Sequence, residues 1–116
     1  MFRRTVFCSF QFVAFHNWPD APDHVDFLRN THRHLFKVVA SADVDHNNRD
    51  IEFTSMKDMI AGYCEKMFAG RNLGSMSCED IAQDILEAFT NLCSVSVSED
   101  GENGAVLRRL DNTEEA

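Results

Sequence analysis

The sequence is poor in basic residues and contains no long apolar segment. Its 116 residues include eleven Lys and Arg against nineteen Asp and Glu, which gives a formal net charge of −8. Because binding to a phosphate backbone requires a basic surface, this balance argues against nucleic acids and anionic membranes as partners. No apolar run approaches the roughly 18 residues that span a bilayer, and the first residues lack the apolar core and cleavage site of a secretory signal. We therefore expect a cytoplasmic protein that does not cross a membrane.

Closely spaced cysteines are absent, which excludes the common paired motifs. No two of the four cysteines are separated by only two residues, as redox motifs and zinc ribbons require. In a cytoplasmic protein they are expected to be reduced, mostly as small buried residues. They are Cys8, Cys64, Cys78 and Cys93.

The overall composition is that of one globular domain. Hydrophobic residues make up 44% of the chain and charged residues 26%, both ordinary values for a soluble fold. The length fits a single domain over residues 1–116. Residues 111–116 are polar and acidic, and we expect them to form a flexible tail.

Alternating apolar residues predict two strands near the start of the chain. Residues 4–16 carry apolar side chains in both phases, which predicts a strand covered on both faces. Residues 32–42 alternate again and predict a second strand. Residues 17–31 between them are polar and contain both prolines, which predicts a long irregular loop of a kind that often carries function. Residues 51–53 are predicted to form a short return strand.

Two amphipathic helices are predicted in the middle of the chain. Apolar side chains recur every three or four residues over residues 56–67, and Ser55 with Asp58 forms a candidate capping box at the start. The second helix is predicted to begin at Ser77, where Asp80 stands three residues further on and completes another capping box. None of these signals by itself indicates a function.

The last part of the chain predicts two more strands, over residues 94–99 and 105–110, joined by a glycine-containing turn. The order of two strands, two helices and two strands predicts an α+β domain with antiparallel hairpins at both ends. A four-stranded sheet with a single helical layer leaves edges and one face uncovered. We therefore expect other copies of the chain to cover them in a homo-oligomer.

Three of the five histidines are placed to meet. His32 and His34 are two apart in a predicted strand, so their side chains leave the same face, and His16 ends the preceding strand. If the two strands pair, three imidazoles converge, which is the ligand set of a catalytic zinc site with an open fourth position. The alternative is a set of surface or half-buried histidines. His24 and His46 are expected not to be ligands.

Five segments, taken in order, carry a resemblance to a known family. They are F-Q-F-V-A-F-H ending at His16, H-R-H at residues 32–34, D-I-E-F at 50–53 followed by Lys57, S-C-E-D-I-A at 77–82 and V-S-V-S-E at 95–99. Together they resemble the 6-pyruvoyl/6-carboxy-tetrahydropterin synthase family. Its pattern runs F-x-A-x-H, H-G-H, V-D-F before a lysine-bearing helix, P-T-x-E at a second helix, and a strand that ends in glutamate. The resemblance extends over residues 5–110, and the histidine triad is its most specific part.

The resemblance implies a tunnelling fold, in which ββααββ subunits with an antiparallel sheet and two helices on one face join into an oligomeric barrel. A trimer or hexamer would be expected. It implies a Zn²⁺ ion on His16, His32 and His34, and a pterin-like ligand whose amino-pyrimidinone edge is held by Glu99. A carboxylate suits that edge, because it accepts two parallel hydrogen bonds. On this reading Glu99 binds the ligand and not the metal; the alternative is an ordinary acidic residue before a turn.

Two departures from the family pattern concern its acid and base groups. The catalytic cysteine of the family corresponds to Leu28, and none of the four cysteines is expected to replace it. The segment that carries the family's Asp-His pair corresponds to residues 67–73, which contain neither residue. Asp23, His24 and Asp26 are weak candidates for a replacement base; the alternative is that they are solvated loop residues.

The sequence therefore leaves two functions open. The first is a zinc-dependent lyase of the tetrahydropterin synthase type that acts on a dihydropterin with altered acid and base residues, in tetrahydrobiopterin, folate-like or queuosine/7-deazaguanine biosynthesis. The second is a non-catalytic, zinc-containing protein that binds a pterin or purine.

Overall fold

The computed structural model describes residues 1–110, so the predicted flexible tail at 111–116 lies outside the described residues. The elements are β1 Arg4–His16, β2 His32–Val44, α1 Phe53–Met67, α2 Cys78–Ala88, β3 Ser94–Glu99 and β4 Asn103–Arg108, with a 3-10 segment over Asp23–Arg29. The strands form one antiparallel sheet in the order β1-β2-β3-β4. The predicted α+β class and element order are confirmed. No helix in the described part of the chain is long and apolar enough to span a bilayer.

The long pairing of β1 with β2 fixes which residues meet. It runs without interruption from Arg4 opposite Val44 to His16 opposite His32. Directly paired residues of an antiparallel sheet share a face, and residues two apart along a strand do so as well. His16, His32 and His34 therefore lie on one face, at the end of the sheet where β1 stops.

The same face carries the hydrophobic core. The inward phase of the strands and the apolar sides of both helices form one buried cluster, in which α1 packs against β1, and α2 against β3 and β4. Its largest fully buried side chains are Phe36, Ile60, Ile81, Ile85, Leu92, Val38, Val95, Val97 and Cys64. Within residues 1–110 the cysteines are free thiols, three buried and Cys93 half-buried. The core therefore supports the face on which the histidines lie.

The opposite face of the sheet is open in the single chain. Phe7 of β1 is 64% exposed and Val106 of β4 is 49% exposed on that face. On the outer edge of β1, backbone hydrogen bonds among residues 1–110 come from the segment 70–73 and reach only Val13 and Phe15. The first part of β1 therefore presents an unpaired strand edge, which is a surface that a second chain can extend.

Helix α1 corrects two sequence predictions. Residues 51–53 do not form a strand, and Ser55 with Asp58 is not the cap. The N-cap is Glu52, whose carboxylate accepts hydrogen bonds from the backbone N–H of Thr54 at 3.2 Å and of Ser55 at 2.6 Å. These are the free donors of a helix start, so the helix begins earlier than the apolar periodicity indicated.

The predicted cap of α2 is confirmed. Ser77 Oγ accepts from the Asp80 backbone N–H at 3.1 Å, and the Asp80 carboxylate accepts from the Ser77 N–H at 3.0 Å. The loop prediction for residues 17–31 needs one correction, because Asp23–Arg29 form 3-10 turns. Arg29 stabilises this loop by donating to the Ala21 carbonyl at 2.8 Å.

Candidate metal centre

The three histidines predicted as ligands lie together at one end of the sheet. Their ring centroids are 4.6 Å apart for His16 and His32, 4.8 Å for His32 and His34, and 5.3 Å for His16 and His34. Glu99, the last residue of β3, lies with them. One donor atom from each of the four residues lies within 4.8 Å of the other three. The sheet thus brings three imidazoles and a carboxylate to a common point.

Each imidazole is oriented by a hydrogen bond at its Nδ1 atom. The Nδ1 atom of His16 lies 2.8 Å from the Met76 carbonyl oxygen, and that of His32 lies 2.8 Å from the Asn30 carbonyl oxygen. His34 Nδ1 lies 2.7 Å from a carboxylate oxygen of Asp100. These oxygens accept, so each Nδ1 carries a proton, and in the neutral ring each Nε2 keeps a free lone pair. This is the orientation that metal-binding histidines require.

The free lone pairs lack hydrogen-bond donors. The Nε2 atoms of His16 and His34 are buried and have no hydrogen-bond partner among the described residues. The nearest charged group is the carboxylate of Glu99, whose Oε2 lies 2.7 Å from His16 Nε2 and 3.2 Å from His34 Nε2. Two acceptors repel at this distance unless a proton or a metal ion lies between them. Imidazole nitrogen and carboxylate oxygen are zinc ligands, so the donor set fits Zn²⁺.

Asp100 is a second-layer carboxylate that the sequence analysis did not find. It accepts from the Leu35 backbone N–H at 3.0 Å and from His34 Nδ1 at 2.7 Å. The hydrogen bond from Leu35 has the largest effect in lowering the pKa of the Asp100 carboxyl, and the hydrogen bond from His34 lowers this pKa further. Its backbone is left-handed, with φ of 58°, a conformation that Asp tolerates better than most residues. Asp100 therefore fixes the ring of His34.

A cavity of about 410 Å³ adjoins three of the four donor residues. His16, His32 and Glu99 form part of its wall, and Trp18 and Leu28 form another part. The volume lies in the range of small-molecule sites. A cavity of similar size, about 400 Å³, lies at the other end of the sheet, but no group of metal donors converges there within the described residues.

Cys78 also lines this cavity, as Leu28 does. The expectation that no cysteine replaces the catalytic cysteine at the Leu28 position stays a prediction. Cys78 is the first residue of α2, directly after the Ser77 cap. Burial, followed by the negative charges of Glu99 and Glu79, raises the pKa of the Cys78 thiol to about 12. The thiol is therefore neutral at pH 7 in the metal-free chain.

The candidate replacement bases in the loop lie away from the cavity of the single chain. Asp23 is fully exposed and pairs with Arg29 at 2.8 Å, and His24 and Asp26 are exposed on the same 3-10 segment. None of the three is part of the described cavity wall. Their catalytic role stays a prediction. The group of converging donors contains neither His24 nor His46.

Two solved structures share this architecture over nearly the whole chain. The structure of Caenorhabditis elegans 6-pyruvoyl tetrahydropterin synthase matches with a TM-score of 0.71 and 16% sequence identity, over 95% of this chain and 100% of that one. An uncharacterized protein from Wolinella succinogenes matches with a TM-score of 0.75 and 12% identity, again over 95% and 100%. The chain has the tunnelling fold.

The sequence alone gives no such match. No family model matches it, and no curated protein sequence matches it either. At 16% and 12% identity, the two structures establish the fold and leave the activity to be argued from the site.

Within the tunnelling fold, three site residues were missed for different reasons. Asp100 directly follows Glu99, but its contact with His34 depends on the pairing of β2 with β3. Trp18 stands two residues after His16, and Cys78 one residue after the Ser77 cap. The only sequence signal for each was its position beside a residue already predicted: Glu99, His16 or Ser77. That position indicates a role only once the spatial arrangement is known.

Proposed function

We propose that the chain is a zinc-dependent lyase of the 6-pyruvoyl/6-carboxy-tetrahydropterin synthase type that acts on a dihydropterin substrate with altered acid and base residues. The convergence of three histidines and a glutamate beside a cavity carries this proposal. The shared fold with a tetrahydropterin synthase supports it. Zinc on His16, His32 and His34 would act as a Lewis acid that polarises a carbonyl or hydroxyl of the substrate side chain.

The cavity wall offers groups suited to a flat, amino-substituted heterocycle. Glu99 supplies a carboxylate that can accept hydrogen bonds from an amino-pyrimidinone edge. Trp18 is half-exposed on the same wall, and an aromatic ring there can stack on a bicyclic ligand. Leu28 adds apolar surface. These side chains bind and orient the ligand beside the histidines.

The lyase proposal also requires acid and base groups at the cavity. Besides the histidines, the ionisable side chains on the described cavity wall are Cys78, Glu79 and Glu99. The high pKa of Cys78 makes its thiol a poor base at pH 7. A carboxylate such as Glu79 is left as the proton acceptor within one chain. Asp23, His24 and Asp26 remain proposals for this role.

Leu28 and the neutral Cys78 thiol favour the second candidate, a zinc-containing protein that binds a pterin or purine without turnover. An apolar side chain stands where the resemblance placed a catalytic thiol, and the thiol that is present holds its proton. Such a wall suits binding better than proton transfer.

One experiment separates the two candidates. The zinc-loaded full chain is incubated with dihydroneopterin derivatives, and products are separated by liquid chromatography, with His34→Ala as the control. Binding is followed in parallel by the fluorescence of Trp18, which is the only tryptophan in the sequence. Turnover that is lost in His34→Ala supports the lyase, and quenching without turnover supports the binding protein. Absence of both would overturn the proposed ligand class.

We also propose a homo-oligomer, a trimer or a hexamer, with a pterin-like molecule as the partner. The exposed apolar side chains of Phe7 and Val106 and the unpaired edge of β1 support assembly between copies of the chain.

A further inference from the structure

We infer that Glu99 is the fourth ligand of the metal when no heterocycle is bound. The inference rests on the proposed zinc site and changes its coordination from three histidines with an open position to three histidines and a carboxylate. A site with four protein ligands is closed, whereas one with three keeps a position for water or substrate. Whether Glu99 binds the ion therefore decides whether the resting site is open.

Glu99 Oε2 faces the Nε2 atoms of two histidines, which is the position of a ligand and not of a second-layer group. Oε2 lies 2.7 Å from His16 Nε2 and 3.2 Å from His34 Nε2. Ligand atoms about 2.0–2.1 Å from a tetrahedral zinc ion are separated by about 3.3 Å. The distance to His34 Nε2 is close to this value, whereas the distance to His16 Nε2 is shorter and has the length of a hydrogen bond. A second-layer carboxylate would instead contact a protonated Nδ1, as Asp100 does on His34. Glu99 lies on the lone-pair side of both rings.

Apart from the two histidines, no hydrogen-bond donor among the described residues contacts the Glu99 carboxylate. Among the hydrogen bonds of residues 1–110, none is donated by a backbone or side-chain N–H or O–H group to this carboxylate. Its side chain is only 28% exposed, so water compensates its charge incompletely. The pairing of Glu99 with Phe36 fixes the strand end that carries it. A half-buried carboxylate held against two imidazole Nε2 atoms is balanced by a proton on one of the rings or by a metal ion that takes its place.

Ligation by Glu99 also couples the ion to the cavity. The Glu99 carboxylate is part of the cavity wall, so it is the group that an amino-pyrimidinone edge would engage. One carboxylate cannot give both oxygens to a heterocycle while one of them binds the metal. Entry of the heterocycle would then open the fourth position.

The test measures zinc affinity by competition with a chromophoric chelator, on the full chain. Glu99→Gln and Glu99→Asp should each bind zinc at least about tenfold more weakly than wild type, because Gln is a poor zinc ligand and Asp is one methylene too short to reach the ion. Glu79→Gln is the matched control. It removes a carboxylate from the same cavity wall, outside the group of converging donors, and should bind zinc like wild type.

The outcomes distinguish this inference from the proposed function. Equal zinc affinity of wild type and Glu99→Gln, with zinc lost in His34→Ala, overturns the fourth ligand and leaves the three-histidine site intact. Weaker binding by Glu99→Gln alone, with Glu99→Asp like wild type, shows that only the charge matters and also overturns ligation. A wild-type chain that does not bind zinc overturns both proposals. Circular dichroism of each variant checks that it is folded.

Discussion

The Nδ1 atom of His34 lies 2.7 Å from Oδ2 of Asp100, and the other oxygen of Asp100 is fixed by the Leu35 backbone N–H at 3.0 Å. The carboxylate thus holds the imidazole ring to the backbone of the strand from which the ring projects. Removing it should leave the ligand in place but poorly oriented.

Asp100→Ala is therefore expected to lower zinc affinity by about 10- to 100-fold, the range found when an outer partner of a metal-binding histidine is lost. Chelator competition measures the change. Glu102→Ala is the control, since Glu102 is an exposed acid in the same turn. Equal affinities of Asp100→Ala and Glu102→Ala would contradict the orienting role.

Glu99→Gln should weaken the binding of pterin or guanine derivatives by about 1.5–3 kcal/mol, because the amide keeps one acceptor and loses the charge. The quenching of Trp18 fluorescence measures affinity, at zinc concentrations that saturate both proteins. Equal affinities would leave a zinc-binding protein of the same fold without its proposed ligand.

Stability is expected to fall at alkaline pH. The pKa values of Cys64 and Cys78 are raised to about 12, first by burial, and that of Tyr63 to about 12, first by the hydrogen bond that it donates to Asp84. The folded chain therefore keeps protons that the unfolded chain releases above about pH 8.5 for Cys and pH 10 for Tyr. The stabilisation is complete below these values and is lost as the pH rises towards 12.

Urea unfolding at pH 8, 10 and 11 tests this dependence. Each group should contribute a slope of up to about 1.4 kcal/mol per pH unit within its window, and Cys64→Ala should show a smaller slope than wild type. An unfolding free energy that stays constant from pH 8 to 11 would be incompatible with buried thiols at these positions.

The two helix starts make opposite predictions for two serines. Ser77→Ala should lower the free energy of unfolding by about 1 kcal/mol, because the Asp80 backbone N–H loses its acceptor. Ser55→Ala should change it by less than about 0.5 kcal/mol, since Glu52 caps α1. Urea denaturation gives both values, and similar losses in the two variants would mean that the Glu52 cap is wrong.

Assembly is tested at the open face of the sheet. Sedimentation should find a species larger than the 13.2 kDa chain, and Phe7→Asp should shift it towards the monomer, because the charge would be buried between subunits. Phe27→Asp is the matched control, with 66% exposure against 64% for Phe7, on the 3-10 segment outside the sheet. A stable monomer of wild type at micromolar concentration would refute the oligomer.

The histidine cluster could be predicted because it depends on local rules. Alternation places His32 and His34 on one face, and a hairpin brings His16 opposite. The role of Asp100 could not be predicted in the same way, because it depends on the alignment of β3 with β2. That alignment is set by long-range packing, on which the local sequence has little influence.

The start of α1 was missed for a different physical reason. Apolar periodicity marks the buried stripe of a helix and says little about its exposed first turn. Glu52 and Phe53 were interpreted as a strand, although a carboxylate two or three residues before free backbone N–H groups is itself a start signal. Met59 is a second case in which apolar periodicity misleads. It fits the helical spacing of the apolar residues, but its side chain is 65% exposed.

The four donor groups come from the ends of three strands, and no two strands alone hold the complete set. The donors can therefore meet only after the sheet has found its register. A slip of β2 by one residue against β1 would send His32 and His34 to the face that points away from the helices. If the site holds zinc as proposed, the chain would have to fold before it could bind the ion, unlike small zinc domains, whose folding is driven by the metal. Zinc uptake should thus follow folding in time, and only correctly aligned molecules should retain the ion.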